Sequence, residues 1–146
     1  MSPPSKSTIR QRIRDKILEI SGYRESKQPY EGFLRDPKNV SDKMFAIGIQ
    51  GSSDNGGRQR QSEGVYVSSE VAVTVRYEVK PHQQVDSYDL AMDGEEAILQ
   101  KLVNRSTPLH TGIELRYLSS NLVLTGQGES IILSINFQIL HYIPLQ

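Results

Sequence analysis

Residues 64–80 read GVYVSSEVAVTVRYEVK, and the alternation in this stretch decides the fold. Val65, Val67, Val71, Val73, Val75, Tyr77 and Val79 share one parity, while Glu70, Thr74, Arg76, Glu78 and Lys80 take the other. That is the period-2 pattern of a strand with one face in a core. If the parity holds throughout, the strand is roughly 15 residues and ~50 Å long, against the usual ~5–6 residues, and is expected to overhang its own sheet. Just before it, residues 50–64 read QGSSDNGGRQRQSEG, with four glycines and no aliphatic or aromatic side chain. Further upstream, Met44 to Ile49 form a short apolar strand with Phe45, Ile47 and Ile49 on one face and Ala46 and Gly48 on the other. Together these stretches predict a long-armed β-hairpin with a mobile tip.

The remaining elements are placed as support for that ribbon. Ser5 or Ser7 caps a helix running to about Ile20, where Ser21-Gly22 is a stop signal. Its apolar stripe is Ile9, Ile13, Ile17 and Ile20. Tyr23 to Lys43 is polar and turn-rich, yet carries Tyr30, Phe33 and Leu34, so it is expected to be a loop pinned by its aromatics against a surface. After the long strand, Pro81 ends the ladder, and Asp86 is placed as the N-cap of a second helix with Asp89 at N3. Tyr88, Ala91, Gly94 or Glu95, Ile98 and Leu102 form its core side, and Gly94 is expected to let the helix sit tightly on the sheet. Glu114 to Leu118 and Leu122 to Thr125 read as one strand interrupted by a bulge over Ser119 to Asn121. Ser130 to Tyr142 closes the sheet, with Ile131, Leu133, Ile135, Phe137 and Ile139 inward. The order predicts a single α+β domain: a four-stranded, mainly antiparallel sheet with two helices packed on one face.

With 146 residues the chain is long enough for one core without staples, and it has no cysteine for a disulfide, a thiolate metal site or a thiol nucleophile. It contains no apolar run near the ~18 residues of a membrane span, and Met1 to Lys6 lead into a charged helix, so a soluble, unexported chain with no membrane partner is expected. The 17 basic and 17 acidic residues balance, which argues against a polyanion binder. Charge is nevertheless uneven: residues 1–40 carry an excess of +4 and residues 81–103 an excess of −4. A solvated face accounts for either patch in a monomer; in a ring, opposite patches meet across subunits.

Residues with catalytic potential are scattered. His82, His110 and His141 have no spacing that makes a metal pair. Asp86, Asp89, Asp93 and Glu96 share a helical face on which a hard divalent ion is conceivable, although carboxylates near a helix start are more simply favoured by the helix dipole. Gly51 to Arg58 lacks the Lys-Ser/Thr ending of a phosphate loop and enters a strand, and no G-x-S-x-G elbow is present. No enzymatic activity, cofactor or metal is expected. The tip, with Asp54, Arg58, Arg60 and Glu63, reads either as a solvated loop or as a segment that orders against a partner. Arg10 and Arg14 on the first helix, against Asp86, Asp89 and Asp93 on the second, are the candidate subunit interface.

The N-terminal amphipathic helix STIRQRIRDKILEI, the polar tip within FAIGIQGSSDNGGRQRQSEGVYVSSEVAVTVRYEV, the helix QVDSYDLAMDGEEAILQKLV and the closing hairpin resemble the tail terminator, or tail completion, proteins of long-tailed bacteriophages. The resemblance lies in element order, size and texture over nearly the whole chain. It implies a virion protein at the head-proximal end of the tail, assembled in the host cytoplasm. It implies a homo-oligomeric ring, usually a hexamer, that caps the tail tube protein, stops tube polymerisation and offers a surface to head or neck connector proteins. DNA passes through such a ring without sequence-specific binding. A neck or head-completion connector is the alternative within this class, and a small nucleic-acid-binding α+β module the alternative outside it; the latter would show binding that weakens steeply with salt.

Overall fold

The computed structural model describes residues 5–26, 42–54, 64–80, 82–103, 114–125 and 130–144. Its elements in chain order are α1 (Lys6–Leu18), β1 (Arg24–Glu25), β2 (Met44–Asp54), β3 (Gly64–Glu78), α2 (Gln84–Leu102), β4 (Glu114–Thr125) and β5 (Ser130–Pro144). The strands form one open sheet in the order β1-β2-β3-β5-β4. All pairs are antiparallel except β1 with β2, so the α+β class is as the sequence predicts.

The sheet has five strands rather than four. Arg24 and Glu25 pair in parallel with Met44 and Phe45, inside the stretch read as a loop. Two polar residues carry no periodicity, and only their position beside β2 makes them a strand. The rest of that stretch, with Tyr30, Phe33 and Leu34, lies outside the described residues.

β3 alternates as its sequence requires. Val67, Val71, Val73, Val75, Tyr77 and Val79 are buried on the helix side. It does not, however, overhang its sheet, because β5 is equally long and pairs with it throughout, from Gly64 opposite Pro144 to Glu78 opposite Ser130. The described part of β2 ends at Asp54 opposite Val67, and that of β4 begins at Glu114 opposite Leu140. β2 continues through Gly51-Ser52-Ser53, beyond its apolar part, with a register shift between Gln50 and Ser52; here the partner strand, not residue type, maintains the ladder. In β4 the shift falls between Tyr117 and Ser119, leaving Leu118 as the extra residue, one position before the predicted bulge.

Ser5 caps α1 by accepting a hydrogen bond from the Thr8 amide at 3.2 Å, and Ile9, Ile13 and Ile17 are fully buried. The chain leaves the helix through Gly22 at φ +90°, a conformation that disfavours any side chain. α2 starts three residues earlier than predicted, with Gln83 rather than Asp86 at the N-cap. Asp86 lies inside its first turn, and the start is held by buried Ser87, whose hydroxyl donates to the Gln83 carbonyl at 2.8 Å and accepts from the Lys80 amide at 3.2 Å. These bonds join the helix to the strand exit.

The core side of α2 is the predicted one except at its first position. Its core side is Ser87, Ala91, Gly94, Ile98 and Leu102, and Tyr88 is turned outward. Gly94 lies against the hydroxyls of Tyr77 and Tyr23, so close that a Cβ would overlap them. Those hydroxyls are 2.8 Å apart and their rings meet edge to face with centroids 6.3 Å apart. Burial raises both phenol pKa values, Tyr77 far above the ordinary range, so the pair stays neutral and binds α2, the post-α1 segment and β3 to one another.

The opposite face of the sheet is buried in part as well. Ala46, Ala72, Thr74, Arg76, Ser130 and Ile132 are all buried, and Met44 packs against Ala46. Arg76 donates from Nε to Ser130 Oγ at 3.0 Å, whereas Thr74 Oγ1 has no hydrogen-bond partner among the described residues.

Candidate functional site

The strand order places the two helices at different ends of the sheet. α1 packs on β1 and β2, α2 on β3 and β5, and the helices touch side by side. Arg10 of α1 donates to Glu25 of β1 at 3.0 Å, which turns that flank of the helix towards the β1 edge. Arg14 is bonded to its neighbour Asp15 through Nε and Nη2 at 3.1 and 3.0 Å. Where the helices meet, Lys101 of α2 pairs with Glu19 at 3.1 Å. Both candidate interface arginines thus already hold carboxylates of their own chain.

The acidic half is different. Asp86, Asp89 and Asp93 are exposed, and among the described residues none has an ion-pair partner. On the same helix, Glu95 turns to the sheet and accepts a hydrogen bond from Ser120 of β4. Among the described residues no group of His, Asp or Glu converges as a metal site would require. Nor is any described helix long and apolar enough to cross a membrane.

At the other candidate site, Asp54 ends β2 opposite Val67. Arg58, Arg60 and Glu63 lie outside the described residues, so the sequence reading of the tip stands on those residue types alone. His82 is exposed after β3, His141 is in β5 opposite Val67, and His110 lies outside the described residues.

Sequence reasoning missed an apolar surface along α2 and β4. Val85, Tyr88, Met92 and Val103 are exposed along one flank of the helix, and Tyr117, Leu118, Val123 and Leu124 along β4, an edge strand of the sheet. At the start of α2 this surface deepens into a cavity of about 320 Å³. Its lining includes Val79, Val85, Tyr88, Leu124 and Ile131, with the Asp89 carboxylate as its charged member. A second, shallower hollow of about 530 Å³ lies beyond, between Leu99, Gln100, Val103 and Tyr117. The spacing of Val85, Tyr88, Met92, Leu99 and Val103 was the available signal. It describes a second helical stripe beside the core stripe, and assigning Tyr88 to the core concealed it.

The basic helix α1 thus lies over β1 and β2, and the acidic helix α2 over β3 and β5, with the apolar surface along α2 and β4. The fold has a counterpart in a virion. A chain of the native gene transfer agent particle matches with a TM-score of 0.58 and 11% sequence identity, over 94% of this chain and 93% of that one. At that identity the likeness is one of fold. No family model matches the chain. Nor does any curated protein match it by sequence.

Proposed function

We propose that this chain is a structural, non-enzymatic component of a phage-like virion and that, within the particle, it is the tail terminator. Copies assemble as a ring on the finished end of the tail tube, stop its polymerisation and present the surface that joins tail to head or neck, with DNA passing through unread. The observation that carries this reading is the likeness to a virion chain over nearly the full length of both proteins. The opposite charges of α1 and α2, which pack on different strands of the sheet, support it, because a ring of identical subunits brings one surface of each copy against a different surface of the next. In this reading Arg10, Arg14, Asp86, Asp89 and Asp93 lie between subunits, and Asp54, Arg58, Arg60 and Glu63 meet the tube.

The test is tube elongation. Preformed tubes of the cognate tail tube protein, supplied with more tube subunits, are expected to stop growing when this protein is added and to carry a ring at one end in electron micrographs. Unchecked growth at saturating protein refutes the proposal. Replacing residues 54–61 with a tight glycine-containing turn is expected to leave the fold intact and weaken capping; full capping by that variant removes the tip from the contact.

A further inference from the structure

We infer that neighbouring copies join head to tail through an antiparallel helix ladder, in which α1 of one copy lies along α2 of the next, Leu18 seats in the cavity at the start of α2, Arg14 meets Asp89 and Arg10 meets Asp93. The inference rests on the self-assembly in the proposed function and specifies its interface. Its first support is spacing. Arg10, Arg14 and Leu18 recur every four residues along the β1-side flank of α1, and Val85, Asp89 and Asp93 recur every four residues along α2. Each step is ~6 Å of helix, so with the helices antiparallel all three pairs fall into register together.

Apolar complementarity is independent of that spacing. Leu18 is 44% exposed, and every other large apolar residue exposed among the described residues lies on α2, directly after it, or on β4. The cavity that would receive Leu18 has buried Val79 and Ile131 in its lining and more accessible walls, Val85 at 74%, Tyr88 at 41% and Leu124 at 57% exposed. At about 320 Å³ it is ample for one aliphatic side chain, and the Asp89 carboxylate beside it is placed for a cation one turn from that side chain.

Charge selects the occupant. α1 carries five Lys or Arg against one Asp, and α2 carries five Asp or Glu against one Lys. Two α2 faces meeting each other would juxtapose like charges, whereas α1 against α2 neutralises both in a chain whose net charge is zero. The existing pairs do not block the exchange. Arg14 and Asp15 are adjacent and exposed, so parting them costs little, and the Arg10 guanidinium has enough N–H donors to hold Glu25 and Asp93 together.

Charge reversal tests the ladder. Solution mass is measured by light scattering for the wild type, for Arg10→Glu/Arg14→Glu, for Asp89→Arg/Asp93→Arg and for an equimolar mixture of the two variants, with circular dichroism to verify folding. The wild type is expected to be oligomeric and each variant monomeric. The mixture should regain oligomers, because every contact between unlike copies then pairs opposite charges. Leu18→Asp is expected to give a monomer too. If loss of the Glu25 contact unfolds the arginine variant, Arg14→Glu and Asp89→Arg alone repeat the same comparison. An oligomeric wild type with variants of unchanged mass, or folded variants whose mixture stays monomeric, overturns the ladder and leaves self-assembly standing. A wild type that is monomeric at every concentration overturns both.

Discussion

Replacing Gly94 with alanine isolates the contact that seats α2 on the sheet. Helix propensity by itself favours the change by about 1 kcal/mol. Packing opposes it, because the new methyl group overlaps the Tyr77 and Tyr23 hydroxyls and approaches Tyr77 Cζ to 2.9 Å. Neither ring is the free end of a surface side chain: Tyr77 is 3% and Tyr23 7% exposed. Relief therefore requires the helix to lift or the rings to part. Overpacking of this kind costs about 1–3 kcal/mol, and separating the 2.8 Å hydroxyl pair leaves buried polar groups unsatisfied at about 1–3 kcal/mol more. Net destabilisation of about 1–5 kcal/mol is expected, a fall in Tm of roughly 3–15 °C for a chain of this size. Calorimetry or thermal circular dichroism measures it. The decisive comparison is Gly94→Ala in a Tyr23→Phe/Tyr77→Phe background, where both colliding oxygens are gone and the alanine should cost clearly less than in the wild type. A Tm that rises with Gly94→Ala, as propensity alone predicts, refutes the packing argument, and an equal cost in both backgrounds shows that the hydroxyls are not what the methyl meets.

Two further predictions concern buried hydroxyl groups. Both tyrosines have pKa values raised by the fold, so the stability held by their neutral forms is fully present below the unfolded value of about 10 and is lost as pH rises above it, by about 1.4 kcal/mol per pH unit for each group. Urea unfolding between about pH 8 and pH 11 is expected to show this fall and Tyr77→Phe to flatten it; an identical slope in the variant refutes it. Thr74 is 1% exposed and its hydroxyl is unpaired among the described residues, so Thr74→Val is expected to stabilise the protein by about 1 kcal/mol, and a loss of stability in chemical denaturation shows that the hydroxyl is in use.

The apolar edge bears on how the sequence is read. The Ile9, Ile13 and Ile17 stripe and the odd-numbered residues of β3 and β5 were legible because each repeats with the period of its own backbone. Along α2 periodicity placed Ala91, Gly94, Ile98 and Leu102 inward, as they are, and failed only in the first turn, where Tyr88 was read in place of Ser87. Ser87, a polar residue, occupies the core side because its hydroxyl is consumed by Gln83 and Lys80, and that turns Tyr88, Val85 and Met92 out to the β4 edge. The candidate carboxylates were legible as a charged face; the place of Asp89 beside an apolar cavity was not, since Leu124 and Ile131 reach the cavity from strands distant in sequence.

The sequence by itself determined the class, the parity of the long strands, the inward face of α1, the need for a glycine at position 94 and the uneven charge. All of these follow from spacing within one element, where the backbone repeat dictates which side chains share a face. Only the tertiary structure decided the strand order, the two-residue β1, the full-length pairing of β3 with β5 and the first turn of α2. Those depend on partners such as Tyr23 with Tyr77 and Arg76 with Ser130, each pair 54 residues apart, and no local repeat encodes which distant residue will complete a hydrogen bond or fill a gap.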